Sequence, residues 1–211
     1  EVWSNGERIG YNEGGRASAE FDITAAATTG TNTIAVKTFR LSDGTYLEDQ
    51  DFWRLSGLYR DVLVWSAPPV HITDFGVRTD LDENYDNATL WVELDGTQYA
   101  PHPAADNGNR PDIHLELVGG DGATVAEKTL KRVPFTPGQP TRVHTELKID
   151  SPKKWTAETP DLYTLLISIV NDGKPIEVLS QRVGFREIEI DDRGRFQING
   201  NPVHMRGVTR H

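Results

Sequence analysis

Cysteine is absent from the 211 residues. A disulfide scaffold, a thiolate zinc site and a cysteine nucleophile are all excluded. Small secreted domains usually need such staples, so their absence points to a reducing compartment, the cytoplasm. The triplet Asn87-Ala88-Thr89 is a glycosylation sequon and points the other way, although such triplets also arise by chance. Basic residues are scarce too: 22 Lys and Arg stand against 32 Asp and Glu, a formal charge of −10. Phosphate binding needs clustered cations. The densest group, Lys128, Lys131 and Arg132, is what a solvated strand face carries. The balance argues against a nucleic-acid partner. Long apolar runs are missing as well. None approaches the roughly 20 residues of a membrane helix, so no membrane partner is expected.

Helical periodicity is also lacking. Apolar residues alternate in short runs, divided by Gly, Pro, Asn and Asp at the intervals of a β-sandwich. From Thr33 to Arg40, Ile34, Val36 and Thr38 face one way while Ala35 and Lys37 face the other. Comparable runs are Arg8 to Tyr11, Glu20 to Ile23, Asp61 to Trp65, Val70 to Thr79 and Ala88 to Leu94. Further on come Asp112 to Val118, Thr124 to Leu130, Arg142 to Ile149, Leu162 to Val170 and Glu177 to Val183. Asn5-Gly6 and Asn199-Gly200 suit two-residue hairpins, because a type I′ turn needs φ > 0 at both central positions. Only two brief helical features are expected: a turn within Ala25 to Thr29, and Ser151-Pro152 as an N-cap with proline at N1, turning towards Trp155. The fold class is all-β.

Pro68-Pro69 divides the chain, since an adjacent proline pair cannot continue a central strand. About five strands precede it, too few for a complete sandwich. About seven follow within 69–186, the complement of one immunoglobulin-like sandwich. Residues 187–211 read as a strand, the Asn-Gly hairpin and a final strand holding Val203 and Met205. That tail is too short to fold alone. The chain starts inside a strand and stops just after one, so both ends are expected to be cuts in a longer polypeptide. Gly96 to Asp112 is a long polar connection carrying His102.

The most informative stretch runs from Asp43 to Val62. Asp43, Glu48, Asp49 and Asp51 fall within nine positions and lead directly into Phe52, Trp53 and Arg54. Each carboxylate raises the cost of ionising its neighbours unless a cation compensates. Trp53 adds a flat apolar face of the kind sugars and core side chains both use. The stretch calls for a counter-ion, an arginine network or a polar ligand.

Several segments resemble a known family. Val2 to Tyr11 followed by Glu20 to Thr24 resembles the N-terminal jelly-roll domain of glycoside hydrolase family 2. Gly44 to Val62 resembles the Leu-Glu-Asp-Gln-Asp-x-Trp-Arg-x-Ser-Gly-x-x-Arg-Asp-Val segment of the family's large bacterial β-galactosidases. Ser151 to Tyr163, with Trp155, Pro160 and Leu162, resembles the late part of their immunoglobulin-like second domain. Val183-Gly-Phe-Arg-Glu, Asn199-Gly-Asn-Pro-Val and Arg206-Gly-Val-Thr-Arg-His211 resemble the start of their catalytic barrel. The matches run in family order.

The resemblance implies the C-terminal part of a jelly roll over 1–68, an immunoglobulin-like sandwich over 69–186, and from 187 the start of a (β/α)8 barrel that is otherwise absent. It implies a retaining β-galactosidase acting on terminal β-D-galactosides such as lactose. Such enzymes set two carboxyl groups about 5 Å apart, one as nucleophile and one as acid/base. In this family both are glutamates on later barrel strands, so no residue here is assigned a catalytic role, and this segment alone is expected to be inactive. Asp51 matches an aspartate that binds sodium and the galactose 6-hydroxyl. His211 matches a histidine that hydrogen-bonds galactose hydroxyls. The magnesium ligands lie beyond this sequence. A homo-oligomer is implied; in well-known members a long second-domain loop completes a neighbouring subunit's active site, and the corresponding Thr129 to Val143 is shorter here. Thr209 stands where the family usually has Asn.

Plainer roles fit most other residues. Glu48 and Asp49 are structural caps or partners of Arg54 and Arg60. Trp3, Trp53, Trp65, Trp91 and Trp155 are expected in the core. His71, His102, His114, His144 and His204 show no metal-ligand spacing and are surface or satisfied strand residues. Arg206 and Arg210 pair with barrel carboxylates rather than substrate. The competing functional class is a non-catalytic carbohydrate-binding or calcium-dependent adhesion module of tandem β-sandwiches, whose acidic loops would give a similar composition.

Overall fold

The computed structural model describes residues 1–14, 17–47, 55–99 and 110–209. They form two compact units: Glu1–Trp65 with Val208–His211, and Ser66–Gly207.

The first unit is built on a three-stranded antiparallel sheet. Strands β1 (Val2–Ser4), β2 (Glu7–Gly10) and β3 (Ile34–Val36) lie in the order β2-β1-β3. Asn5 and Gly6 take φ of 52° and 86°, as a two-residue type I′ hairpin requires. The Asn5 side chain does more than turn the chain. Its Oδ1 accepts the Thr33 amide at 2.9 Å and its Nδ2 donates to the Ala26 carbonyl at 2.8 Å, while the Asn5 amide reaches the Thr33 carbonyl at 2.8 Å.

Two strand expectations fail in this unit. Glu20 to Ile23 is not a strand: Asp22 caps the Thr24 amide at 2.8 Å, and the Ala26 and Ala27 amides return to the Ile23 carbonyl. Those backbone groups are committed to a local turn, the one expected near Ala25. Asp61 to Trp65 alternates but is not a strand either, and Leu63, Val64 and Trp65 are exposed.

The second unit holds a seven-stranded sandwich. One sheet has the order β4-β5-β8, from β4 (Val70–Leu81), β5 (Ala88–Gln98) and β8 (Thr141–Ile149). The other has the order β10-β9-β6-β7, from β6 (Asp112–Val118), β7 (Thr124–Leu130), β9 (Tyr163–Asn171) and β10 (Lys174–Val183). All pairings are antiparallel. The central strands alternate strictly: Leu90, Val92 and Leu94 of β5 are buried, as are Ile113, Leu115 and Leu117 of β6 and Leu165, Ile167 and Ile169 of β9. Each such side chain stabilises the fold by about 1.5–3 kcal/mol relative to exposure. Phe185 caps one end of this core edge-on to Tyr163, ring centres 5.1 Å apart.

The tryptophans depart from expectation. Trp65 is 62% exposed and Trp91 is 37% exposed, and the core is aliphatic with Phe135, Tyr163 and Phe185. Trp91 sits on the outer face of β5 between Arg78 and Lys148, both about 6 Å from its ring centre. Arg186 stands 4.5 Å from the ring centre of Trp155. Cation–π contact replaces burial at both positions.

Ser151-Pro152 does not open a helical turn. Ser151 has φ of 46°, the Lys153 amide donates to Tyr163 Oη at 2.8 Å, and the Trp155 amide donates to the Phe185 carbonyl at 2.8 Å. Tertiary partners take the donors that a local turn would have used. The polar connection also starts later than expected, because β5 runs on to Gln98. Residues 131–140 fold back on the sandwich. Val133 and Phe135 are buried, the Val133 amide reaches the Pro111 carbonyl at 2.8 Å, and the Gly138 amide reaches the Gln98 carbonyl at 3.1 Å.

The tail forms a fourth, small sheet, β11 (Ile188–Ile190), β12 (Phe196–Ile198) and β13 (Asn201–Pro202), in the order β11-β12-β13. Val203 and Met205 lie outside any strand. The Val203 amide turns back to the Phe196 carbonyl at 2.9 Å, and Met205 is exposed.

Candidate functional site

The acidic stretch can be followed on both sides of its centre. A 3-10 turn over Asp43–Tyr46 is closed by the Thr45 amide on the Ser42 carbonyl at 3.1 Å and by the Ser42 amide on Thr45 Oγ1 at 3.0 Å. After position 54, Leu55, Leu58 and Val62 are exposed, and Arg60 stands 5.6 Å from the ring centre of Tyr59. Glu48, Asp49, Asp51, Trp53 and Arg54 lie outside the described residues, as do His102, Arg210 and His211. Val208 and Thr209 group with Glu1–Trp65 rather than with the sandwich.

The sandwich end facing the tail carries a set of linked polar contacts. The β4–β5 loop is tied by Asp82, whose carboxylate accepts the Asp86 and Asn87 amides at 2.7 and 3.0 Å. Chiefly the Asp86 amide holds that carboxyl below the usual range. Tyr85, at φ 58°, presents its hydroxyl to Glu189 Oε2 at 2.7 Å, and its carbonyl accepts Lys154 Nζ at 2.7 Å. The bond to Glu189 raises the phenol's pKa, with burial adding to it. Glu187 is raised as well, first by burial and then by the Glu189 and Asp80 charges. In the β11–β12 hairpin, Asp191 accepts the Arg195 amide at 2.8 Å and its Nε at 2.7 Å, which lowers the carboxyl's pKa.

Asn199 locks this hairpin to the sandwich. Its Oδ1 accepts the Glu187 amide at 2.9 Å, its own amide donates to the Glu187 carbonyl at 3.0 Å, and its Nδ2 donates to the Trp155 carbonyl at 3.1 Å. Gly200, at φ 72°, lets the Tyr85 ring approach so closely that a Cβ there would lie 2.8 Å from Cε2. The hairpin dipeptide was legible in the sequence; its second role as a clasp was not.

One groove of about 300 Å³ runs between β4 and β10 past Phe75, Val77, Thr79, Arg182 and Arg186. A second, of about 420 Å³, lies beside Thr97, Tyr99 and Pro140. Among the described residues, neither is lined by a carboxylate. Among the described residues no group of three or more His, Cys, Asp or Glu is arranged to hold a metal ion. Three histidines have strand partners: His71 is buried against Glu177, His114 Nδ1 lies 2.9 Å from Thr129 Oγ1, and His144 Nδ1 lies 3.4 Å from Glu93 Oε1. The sequon asparagine is engaged too, Asn87 Nδ2 donating to Asp82 Oδ2 at 2.8 Å. No helix among the described residues is long and apolar enough to cross a membrane.

Residues 1–68 match the family model described as "Glycosyl hydrolases family 2, sugar binding domain", and residues 70–186 match "Glycosyl hydrolases family 2". The chain belongs to glycosyl hydrolases family 2. Curated relatives include a protein named Beta-galactosidase from Priestia megaterium, 44% identical over 211 residues, and one of the same name from Photobacterium profundum, 37% identical over 215. Each match takes in 100% of this chain and 20% of the relative, so the chain spans about a fifth of their length. Among solved structures, a glycosyl hydrolase family 2 member from Bacteroides cellulosilyticus superposes with a TM-score of 0.77 at 22% identity, over 98% of this chain and 27% of that one. A β-glucuronidase of glycoside hydrolase family 2 gives 0.77 at 24% identity, over 96% and 22%. The family 2 fold is thereby shared with enzymes named for a different sugar.

Proposed function

We propose that this family 2 chain is the non-catalytic β-sandwich portion of a retaining β-galactosidase that hydrolyses terminal β-D-galactosides such as lactose. The supporting observation is the 44% identity, running along all of the chain, to a protein named Beta-galactosidase. On this reading residues 1–68 belong to the sugar-binding jelly roll, 69–186 to the immunoglobulin-like domain, and 187–211 lead into the catalytic barrel. The two glutamates that act as nucleophile and acid/base, and the magnesium ligands, belong to the barrel beyond His211. The absence of cysteine supports a cytoplasmic protein, and the family resemblance supports a homo-oligomer.

Asp51 is proposed to hold sodium and the galactose 6-hydroxyl, and His211 to hydrogen-bond further sugar hydroxyls. The support is chemical: Asp43, Glu48, Asp49 and Asp51 crowd four carboxylates together, and a monovalent cation relieves that repulsion. A sugar hydroxyl then completes the ion's oxygen shell.

The test uses the longer polypeptide and a chromogenic β-galactoside. Asp51→Ala is expected to lower sodium affinity, read as the sodium concentration giving half-maximal rate, by roughly tenfold or more. His211→Ala is expected to raise KM. The 211-residue chain alone is expected to show no turnover. Unchanged sodium dependence in the Asp51 variant would remove the proposed cation site, and turnover by the isolated chain would contradict the placement of the catalytic pair.

A further inference from the structure

A two-residue type I′ turn requires only φ > 0 at both positions, and Gly-Gly serves as well as Asn-Gly. Asn199 goes further than that requirement. Only 8% exposed, it exchanges two hydrogen bonds with the Glu187 backbone and sends a third to the Trp155 carbonyl. Trp155 in turn donates its amide to Phe185, which is fully buried in the sandwich core. One side-chain amide therefore ties together the hairpin tip, the strand that leaves the sandwich and the β8–β9 connection. Tyr85 adds a second hold on the same hairpin, through its hydroxyl on Glu189 and its ring against Gly200.

The same device occurs at Asn5. There a left-handed asparagine beside a glycine also exchanges two bonds with a neighbouring backbone residue, Thr33, and sends its Nδ2 to a third segment at Ala26. Two occurrences with matching bonds at 2.8–3.1 Å set this apart from turn chemistry alone.

We propose that Asn199, supported by Tyr85, is a positioning residue: it fixes the β11–β12–β13 hairpin on the sandwich and so sets the course on which the chain leaves β13. Residues 203–207 then leave the hairpin from a defined origin. Any bearing on sugar binding rests on the galactosidase reading above, whereas the docking of the hairpin does not.

The discriminating variant is Asn199→Gly, which keeps the turn and removes the clasp. In the 211-residue chain, amide exchange at Glu187, Ile198 and Val203 is expected to quicken by about tenfold or more while β9 amides keep their protection. Unchanged exchange in the hairpin would overturn the proposal, and so would a uniform loss of protection across the sandwich. Tyr85→Phe, which keeps the ring on Gly200 but loses the bond to Glu189, is expected to act in the same direction more weakly, and it decides the matter if the glycine variant does not fold. In the longer enzyme, Asn199→Gly is expected to raise the galactoside KM by about tenfold, since small misplacements of a binding group are costly. A lower amount of active protein alone would reduce the apparent kcat and leave KM unmoved, and an unchanged KM counts against the positioning role. Absence of turnover in the unsubstituted enzyme would contradict the galactosidase reading, and the exchange experiment still decides the clasp.

Discussion

Glu177 on β10 reaches across the sandwich to His71 on β4. Its Oε1 lies 2.5 Å from His71 Nδ1 and its Oε2 accepts the Ile72 amide at 2.9 Å. Both side chains are about nine-tenths buried. These two edge strands belong to different sheets, so this polar clasp closes an edge of the sandwich that apolar packing covers only partly.

Glu177→Ala removes the acceptor of a buried amide and leaves a buried histidine without its carboxylate. The expected cost is about 2–4 kcal/mol, read as a lower midpoint in urea with an unchanged slope. Glu177→Gln should lose less, because it can still accept the Ile72 amide. An alanine variant as stable as the unsubstituted chain would show that the clasp contributes nothing net.

Gly96 faces Phe135 across the core. A Cβ at position 96 would lie 2.5 Å from Phe135 Cε1 and 3.2 Å from the His71 carbonyl. Gly96→Ala should therefore destabilise by about 1–3 kcal/mol through overpacking. Combining it with Phe135→Leu should cost less than the two single changes added together, since the residues share one contact. Strict additivity in a double-mutant cycle would contradict this geometry.

The raised pKa of Glu187 gives a pH signature. Burial, joined by the charges of Glu189 and Asp80, makes the folded chain hold that proton more tightly than the unfolded chain. Its ionisation thus costs stability, a penalty fully present above the folded-state pKa and relieved as pH falls towards the unfolded value. Glu187→Gln should raise Tm at neutral pH by roughly 2 °C. The gain should vanish on acidification through the range where the carboxyl protonates. A gain that persists at low pH would assign the effect to packing.

The strands of the sandwich were readable because their inner faces are strictly apolar. β6 and β7 fall at the expected residues, and Ile113, Leu115 and Leu117 show why: every second side chain is buried between sheets. Asp172-Gly173, at φ 49° and 74°, is a type I′ hairpin between β9 and β10 as clear in sequence as Asn5-Gly6, yet it was not singled out. The first unit was less legible. Its strands are three or four residues long, and the alternating Asp61 to Trp65 falls in none of the strands among the described residues. Trp91 was misplaced in the core because composition does not reveal the two cations beside it on neighbouring strands.

The candidate site divides in the same way. Asp51 was marked by local crowding of charge, a signal that needs no tertiary structure. The clasp at Asn199 depends on Trp155, 44 residues earlier, and no local pattern announces such a contact. Asp51 and His211 themselves lie outside the described residues, so their separate roles as sugar contacts rest on the family resemblance.

The most direct test compares two sugars. The longer polypeptide carrying this chain is offered chromogenic β-galactoside and β-glucuronide side by side, and the anomer released first is followed by NMR. The account predicts turnover of the galactoside with the β-anomer appearing first, and little or none of the glucuronide. Preference for the glucuronide, or first release of the α-anomer, would contradict it.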